Sequence, residues 1–230
     1  MNVSAASQQR LVIVTGMVGG YAFRYALGNP AVGRVTAISR RKLGISHSKL
    51  DEVVHRDFAD CSVLAEALSG QDAAIFCLGT YTRSVSDAEL RKIYRGLHNR
   101  VRARSPGSSP EAAFSFLSGN GADQTGRSRM PFARYKGEAE NALLAAGFPR
   151  VYIFRPAYIY PVEPRKEPNY SYRLLRAIYP VFRVLFPDRV IPADQLARAM
   201  LDVVVQKRGK RASVVLENRD IRAMAERRLS

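Results

Sequence analysis

Apolar positions along this chain follow two rhythms that alternate from the N-terminus onward. Short unbroken runs of branched or aromatic residues predict buried strands: Leu11–Thr15, Val35–Ser39, Val53–His55, Ala73–Leu78, Phe114–Ser118, Val151–Phe154 and Ser213–Leu216. Between them lie stretches with helical spacing: Gly19–Leu27, Cys61–Leu68, Ser86–Arg104, Pro131–Ala146, Pro192–Val205 and Asn218–Arg227. Gly28-Asn29-Pro30, Ser69-Gly70 and Gly147 punctuate the helices. Strand–helix alternation of this kind predicts an α/β doubly wound parallel sheet with right-handed crossovers. The last third departs from the rhythm. Arg155–Pro168 is rich in proline and tyrosine and reads as a loop, and Tyr170–Phe186 is apolar, aromatic and arginine-bearing. Pro180 is expected to split that segment into two short helices. The region 155–190 is therefore read as a small C-terminal substrate-side lobe or lid on one domain spanning 1–230. Arg104–Pro110 is the clearest flexible loop.

The chemistry starts where the first strand ends. Val14-Thr15-Gly16-Met17-Val18-Gly19-Gly20-Tyr21-Ala22 passes from strand through a glycine turn into a helix. Gly16, Gly19 and Ala22 fit a variant of the dinucleotide-binding fingerprint, making this a Rossmann fold with Gly16, Met17, Val18 and Gly19 against a pyrophosphate. Gly16 allows the turn, Gly19 lets backbone approach phosphate, and Ala22 lets the helix pack on the strand. The helix N-terminus supplies N–H groups and a partial positive charge. In such folds an acid ending the second strand holds the ribose 2′-hydroxyl of NAD. Here Ser39-Arg40-Arg41-Lys42 stands there instead. Arg40 and Arg41 suit a 2′-phosphate, which favours NADP over NAD. Asp57 and Phe58 are placed to bracket adenine. Leu78, Gly79 and Thr80, after Cys77, are placed beside the cofactor ribose and pyrophosphate.

Composition narrows the alternatives. The 230 residues carry a formal net charge of +16 with 47% hydrophobic residues. The basic residues are dispersed and no nucleic-acid-reading motif is visible, so no specific nucleic-acid partner is expected. No run approaches the ~18 apolar residues of a membrane span. The aromatic-basic segment 170–186 is either a pair of core-packing helices, a substrate wall, or a contact for a membrane surface or protein. His47, His55 and His98 lack metal-ligand spacing, so no metal is expected. Cys77, in an apolar run, reads as a buried free thiol. Only Cys61 accompanies it, and the polar Met1–Arg10 has no signal-peptide core, so a cytoplasmic location is expected.

An ordered set of short matches resembles the atypical short-chain dehydrogenase/reductases, in particular the small one-domain group of Tat-interacting-protein-like NAD(P)H-binding oxidoreductases. The set comprises Val14–Gly19, Ser39–Lys42, Cys77–Thr80, Leu117-Ser118 with Gly121-Ala122-Asp123, Lys136-Gly137-Glu138-Ala139-Glu140, Phe154-Arg155-Pro156 and Leu216-Glu217-Asn218. Tyr94–Pro110 matches least. The resemblance implies carbonyl reduction by a Ser, a Tyr and a Lys. The serine orients the carbonyl, the tyrosine moves the proton, and the lysine lowers the tyrosine pKa and holds the nicotinamide ribose. Ser118 and Lys136 match as catalytic residues, with Lys136 also binding cofactor. The tyrosine belongs four residues before the lysine, on the same helix face. Phe132 occupies that position. Tyr135, adjacent to Lys136, points about 100° away on a regular helix. Tyr158, Tyr160 and Tyr81 are loop tyrosines that either supply a hydroxyl or pack against the sheet or the cofactor, and the sequence does not place them. Two functions are thus implied. One is an NADP(H)-dependent oxidoreductase acting on a small carbonyl-type substrate. The other is a catalytically weak NADP(H)-binding regulator with a protein partner.

Overall fold

The computed structural model describes residues 8–57, 62–77, 112–163, 170–206 and 212–227. Seven strands form one parallel sheet: β1 (Gln9–Val14), β2 (Val32–Ser39), β3 (Leu50–Val54), β4 (Ala73–Phe76), β5 (Ala113–Leu117), β6 (Arg150–Arg155) and β9 (Ala212–Glu217). Their order is β3-β2-β1-β4-β5-β6-β9, so the chain runs outward from β1 in one direction and resumes at β4 in the other. Side-chain alternation divides the sheet between two cores. Leu11 and Ile13 face one core and Val12 and Val14 the other. The first core is closed by α1 (Met17–Leu27), α5 (Ala193–Val205) and Ile221 of α6 (Asn218–Glu226). The second is closed by α3 (Pro131–Ala145), through Tyr135, Ala139 and Leu143, and by Leu64 ahead of α2 (Ala65–Leu68). Helices on both faces make this the doubly wound α/β fold read from the pattern.

Boundaries shift in ways that local chemistry explains. The α3 helix starts at Pro131, whose missing N–H is no loss in a first turn, and Gly147 beyond its C-terminus adopts φ +76°. The segment before α2 is a short 3-10 turn, Ser62–Leu64. Two expectations are corrected. Tyr170–Leu185 is one helix, α4, with Pro180 inside it. Proline removes one hydrogen bond without ending a helix whose neighbouring turns are anchored, and Tyr179 is stacked on Tyr160 at 3.6 Å. The stretch read as loop contains β7 (Tyr158–Tyr160), which pairs in parallel with β8 (Val190–Pro192) as a second, two-stranded sheet. Asn218 ties the two sheets together. Its Oδ1 accepts from the Ala157 N–H at 3.0 Å and its Nδ2 donates to the Val190 carbonyl at 3.1 Å. The expected helix Ser86–Arg104, the loop Arg104–Pro110 and the weakly matching Tyr94–Pro110 lie outside the described residues.

Candidate functional site

Strand register sets the site. Val14 pairs with Ile38 and with Phe76, Phe76 with Phe116, and Phe116 with Ile153. The carboxyl ends of these strands are therefore level. Gly16, Arg40, Cys77, Ser118 and Arg155 follow along one sheet edge. The gap between β1 and β4 is the point where strand order reverses, the place where open α/β sheets take ligands.

At that gap Gly16 is the extended N-cap residue of α1, and no side chain caps the helix. The first turn holds no acid. The positive end of α1 is thus not neutralised by its own residues, which fits a bound phosphate. Gly16 is exposed and Met17 half-buried, whereas Val18 points into the core. Gly19 is glycine for a reason the sequence did not disclose. A Cβ there would lie 3.1 Å from the Cys77 Cβ and 3.1 Å from the Val14 carbonyl oxygen. Its missing side chain lets α1 press against β1 and the end of β4. Cys77 is buried, and burial pushes its thiol up to about 12 from 9.0, so it is inert as a nucleophile at neutral pH.

Arg40 and Arg41 are both exposed directly after β2. The Ser39 hydroxyl donates to the Arg41 carbonyl and fixes the turn that carries them. Thr15 donates from its N–H to the Ile38 carbonyl at 2.8 Å, holding this turn beside the glycine turn. Asp57 is exposed, and its carbonyl lies 2.5 Å from His55 Nε2. Phe58, Leu78, Gly79, Thr80 and Tyr81 lie outside the described residues.

Ser118 and Lys136 are brought together, but each is already engaged. The Ser118 hydroxyl donates to Glu140, and the Lys136 ammonium donates to the Leu117 carbonyl at 2.9 Å. Both residues are buried, and Lys136 Nζ stands 5.0 Å from the Phe116 ring centroid. Phe132 is half-buried over Gly119, since a Cβ on that glycine would meet the Phe132 Cζ at 2.9 Å. The atom that would bear a tyrosine hydroxyl thus lies beside the residue following Ser118. Tyr135 is buried among Val12, Val14, Ile38 and Phe76 and is a core residue. Tyr158 and Tyr160 belong to β7 rather than to a loop, and Tyr160 is occupied by its stack on Tyr179.

Sequence reasoning named Glu140, Arg155 and Glu217 only as parts of matching motifs. The structure joins them. Arg155 donates through Nε to Glu140 at 3.0 Å and through Nη1 to Glu217 at 3.1 Å, while Gln124 donates to Glu140 at 2.8 Å. Glu140 is fully buried, and its hydrogen bonds hold the Arg155 guanidinium protonated well above its ordinary range. Three distant motifs are thus one ion-pair chain running from Ser118 to the start of α6. Among the described residues, no cluster of three or more His, Cys, Asp or Glu side chains could hold a metal.

No family model matches the chain. Among curated proteins, fmp52-1 of Aspergillus terreus is 30% identical over 163 residues, which is 69% of each chain. This chain belongs to the fmp52 family. The fmp52 protein of Aspergillus niger is 33% identical over 151 residues, and the chain spans 63% of that relative's length. Both relatives are named mitochondrial, which overturns the cytoplasmic expectation. A low cysteine count reports only on disulfide chemistry and does not separate one reducing compartment from another. Among solved structures, DesIV from Streptomyces venezuelae, a dTDP-glucose 4,6-dehydratase crystallised with NAD and TYD bound, superposes with a TM-score of 0.63. It is 18% identical and the match covers 96% of this chain and 81% of that one, so the likeness lies in the Rossmann fold.

Proposed function

We propose that this fmp52-family chain binds a nicotinamide cofactor across the β1–α1 turn and transfers hydride to or from a small carbonyl-type substrate. The observation carrying the proposal is the uncapped, acid-free N-terminus of α1 at the strand-order reversal, with two exposed arginines after the neighbouring strand. When bound, the cofactor supplies the hydride chemistry. Gly16 to Gly19 present backbone to its pyrophosphate, and Arg40 and Arg41 pair with a 2′-phosphate, selecting NADP(H). Asp57 stands on the adenine side, and Lys136 would reach the nicotinamide ribose by exchanging its bond to the Leu117 carbonyl for one to a ribose hydroxyl. The names of the relatives support a mitochondrial setting.

Proton transfer is the weak step in this reading, and one observation favours a second reading. Phe132 has no proton to give, Tyr135 is in the core, and the Ser118 hydroxyl is committed to Glu140. A cofactor-binding regulator with slow turnover fits those three facts. The two readings part in one experiment, NADPH oxidation by the parent and by Phe132→Tyr across a panel of aldehydes and ketones. Slow parent turnover that rises about tenfold in Phe132→Tyr is expected, a gain of only ~1.4 kcal/mol in transition-state stabilisation. Tyr135→Phe is expected to leave the rate unchanged. A fast parent that Tyr135→Phe abolishes would refute the assignment of Tyr135 to the core. No turnover by any of the three, with NADPH bound, would favour the regulator.

A further inference from the structure

A serine hydroxyl has one hydrogen to donate and lone pairs with which to accept. The Ser118 hydrogen goes to Glu140. What Ser118 offers a bound molecule is therefore an acceptor, which suits the hydroxyl of an alcohol and not the oxygen of a carbonyl. Phe132 cannot take a proton from such an alcohol. Its Cζ reaches Gly119, the residue after Ser118, and bears no hydroxyl. The proton has to leave through Ser118 itself.

Glu140 is placed to receive it. Its carboxylate is fully buried and accepts at Oε1 from Ser118 and Arg155 Nε, and at Oε2 from Gln124 and Arg155 Nη2. A guanidinium and an amide do not give up protons near neutral pH, so among these partners the serine hydroxyl is the one that exchanges with Glu140. When the Ser118 hydrogen crosses to Oε1, the contact between the two oxygens remains, now with Glu140 donating. Arg155 keeps its acceptors on Glu140 and stays paired with Glu217 at 3.1 Å. Neutralising Glu140 therefore leaves no uncompensated cation beside it. We propose that Ser118 and Glu140 form a proton relay that serves this site in place of the absent tyrosine, and that the substrate is an alcohol oxidised to a carbonyl, a proposal that rests on the hydride-transfer reading above. The alcohol O–H proton passes to the Ser118 oxygen while the Ser118 proton passes to Glu140. The carbon-bound hydrogen leaves with its electron pair to the oxidised cofactor, and C–O becomes C=O. Once the product has left, water at Ser118 collects the proton from Glu140 by the reverse path. The resting relay thus has room for a proton and none to give, which is why carbonyl reduction by the parent is expected to be slow.

Proton NMR of the chain without cofactor tests the relay directly. The Ser118 hydroxyl, bonded to a carboxylate, should give a downfield, slowly exchanging resonance that Ser118→Ala removes. A parent without that resonance would overturn the proposal. Initial rates of NADP⁺ reduction with a panel of primary, secondary and cyclic alcohols test the chemistry, for the parent, Glu140→Gln, Phe132→Tyr and the double variant. Glu140→Gln should lower kcat at least about a hundredfold alone, but less than about tenfold beside Phe132→Tyr, because the tyrosine then takes the proton. A merely structural glutamate would cost the same in both backgrounds, so equal losses would overturn the relay. So would a parent that binds NADP⁺ and oxidises no alcohol of the panel. Circular dichroism and NADP⁺ affinity check that the variants are folded. If Glu140→Gln does not fold, Ser118→Ala, which leaves Glu140 paired with Arg155, is compared in the same two backgrounds. A parent that binds neither NADP⁺ nor NADPH would strike the hydride-transfer reading itself, and the relay with it.

Discussion

A Cβ on Gly137 would fall 1.8 Å from the Asp123 carbonyl oxygen and 2.6 Å from the Gln124 nitrogen. The 119–126 loop lies directly on α3 there, and the Asp123 N–H donates to the Ala133 carbonyl at 2.8 Å. Asn141 adds a bond to the Gln124 carbonyl at 2.8 Å. Since the obstruction is backbone, it cannot swing aside as a flexible side chain would. Gly137→Ala is therefore expected to cost about 3 kcal/mol or more, read as a shift in urea midpoint at constant m-value. A loss below about 1 kcal/mol would mean the loop lifts off the helix freely. The Lys136-Gly137 pair was legible as a motif, but its reason was not, because the loop it accommodates is fourteen residues earlier in sequence and marked by no periodicity. The same holds for Gly19, where sequence pointed to phosphate and the space is taken by Cys77 and Val14.

Between elements, the Glu140–Arg155–Glu217 chain, fully buried at Glu140 and open to solvent at Glu217, couples α3, β6 and the cap of α6. Glu217 also completes a reciprocal cap with Asp220 at the head of that helix. Removing one partner of a buried pair leaves the other uncompensated, which typically costs about 3–5 kcal/mol. Glu140→Leu should lose about that much in urea unfolding. Arg155→Met should lose a similar amount, and the double variant should lose clearly less than the sum. Additive losses would mean the two side chains are not coupled. Most elements were readable because unbroken apolar runs and glycine stops leave little choice. The β7 and β8 strands were not, since each has three residues and a proline within or beside it, and they exist only by pairing with each other across α4. Pro180 misled for the converse reason, as tertiary anchoring through Tyr179 keeps one helix where local sequence argues for two.

Across the whole molecule, one register places the glycine turn, the arginine pair, Ser118 and Arg155 along the same edge of the sheet. Sequence order alone predicted that edge, because parallel strands joined by helices end on the same side. The engagement of Ser118 by a carboxylate from α3 was hidden, since it depends on which face of that helix meets the sheet. The central claim is that the α1 N-terminus and the arginines after β2 hold a phosphorylated nicotinamide dinucleotide. Fluorescence titration of the parent chain and of Arg40→Ala with NADPH and with NADH tests it most directly. The parent should bind NADPH at least about tenfold more tightly than NADH, a difference of ~1.4 kcal/mol, and Arg40→Ala should weaken NADPH while leaving NADH unchanged. Equal affinities in the parent, or binding of neither cofactor, would contradict it.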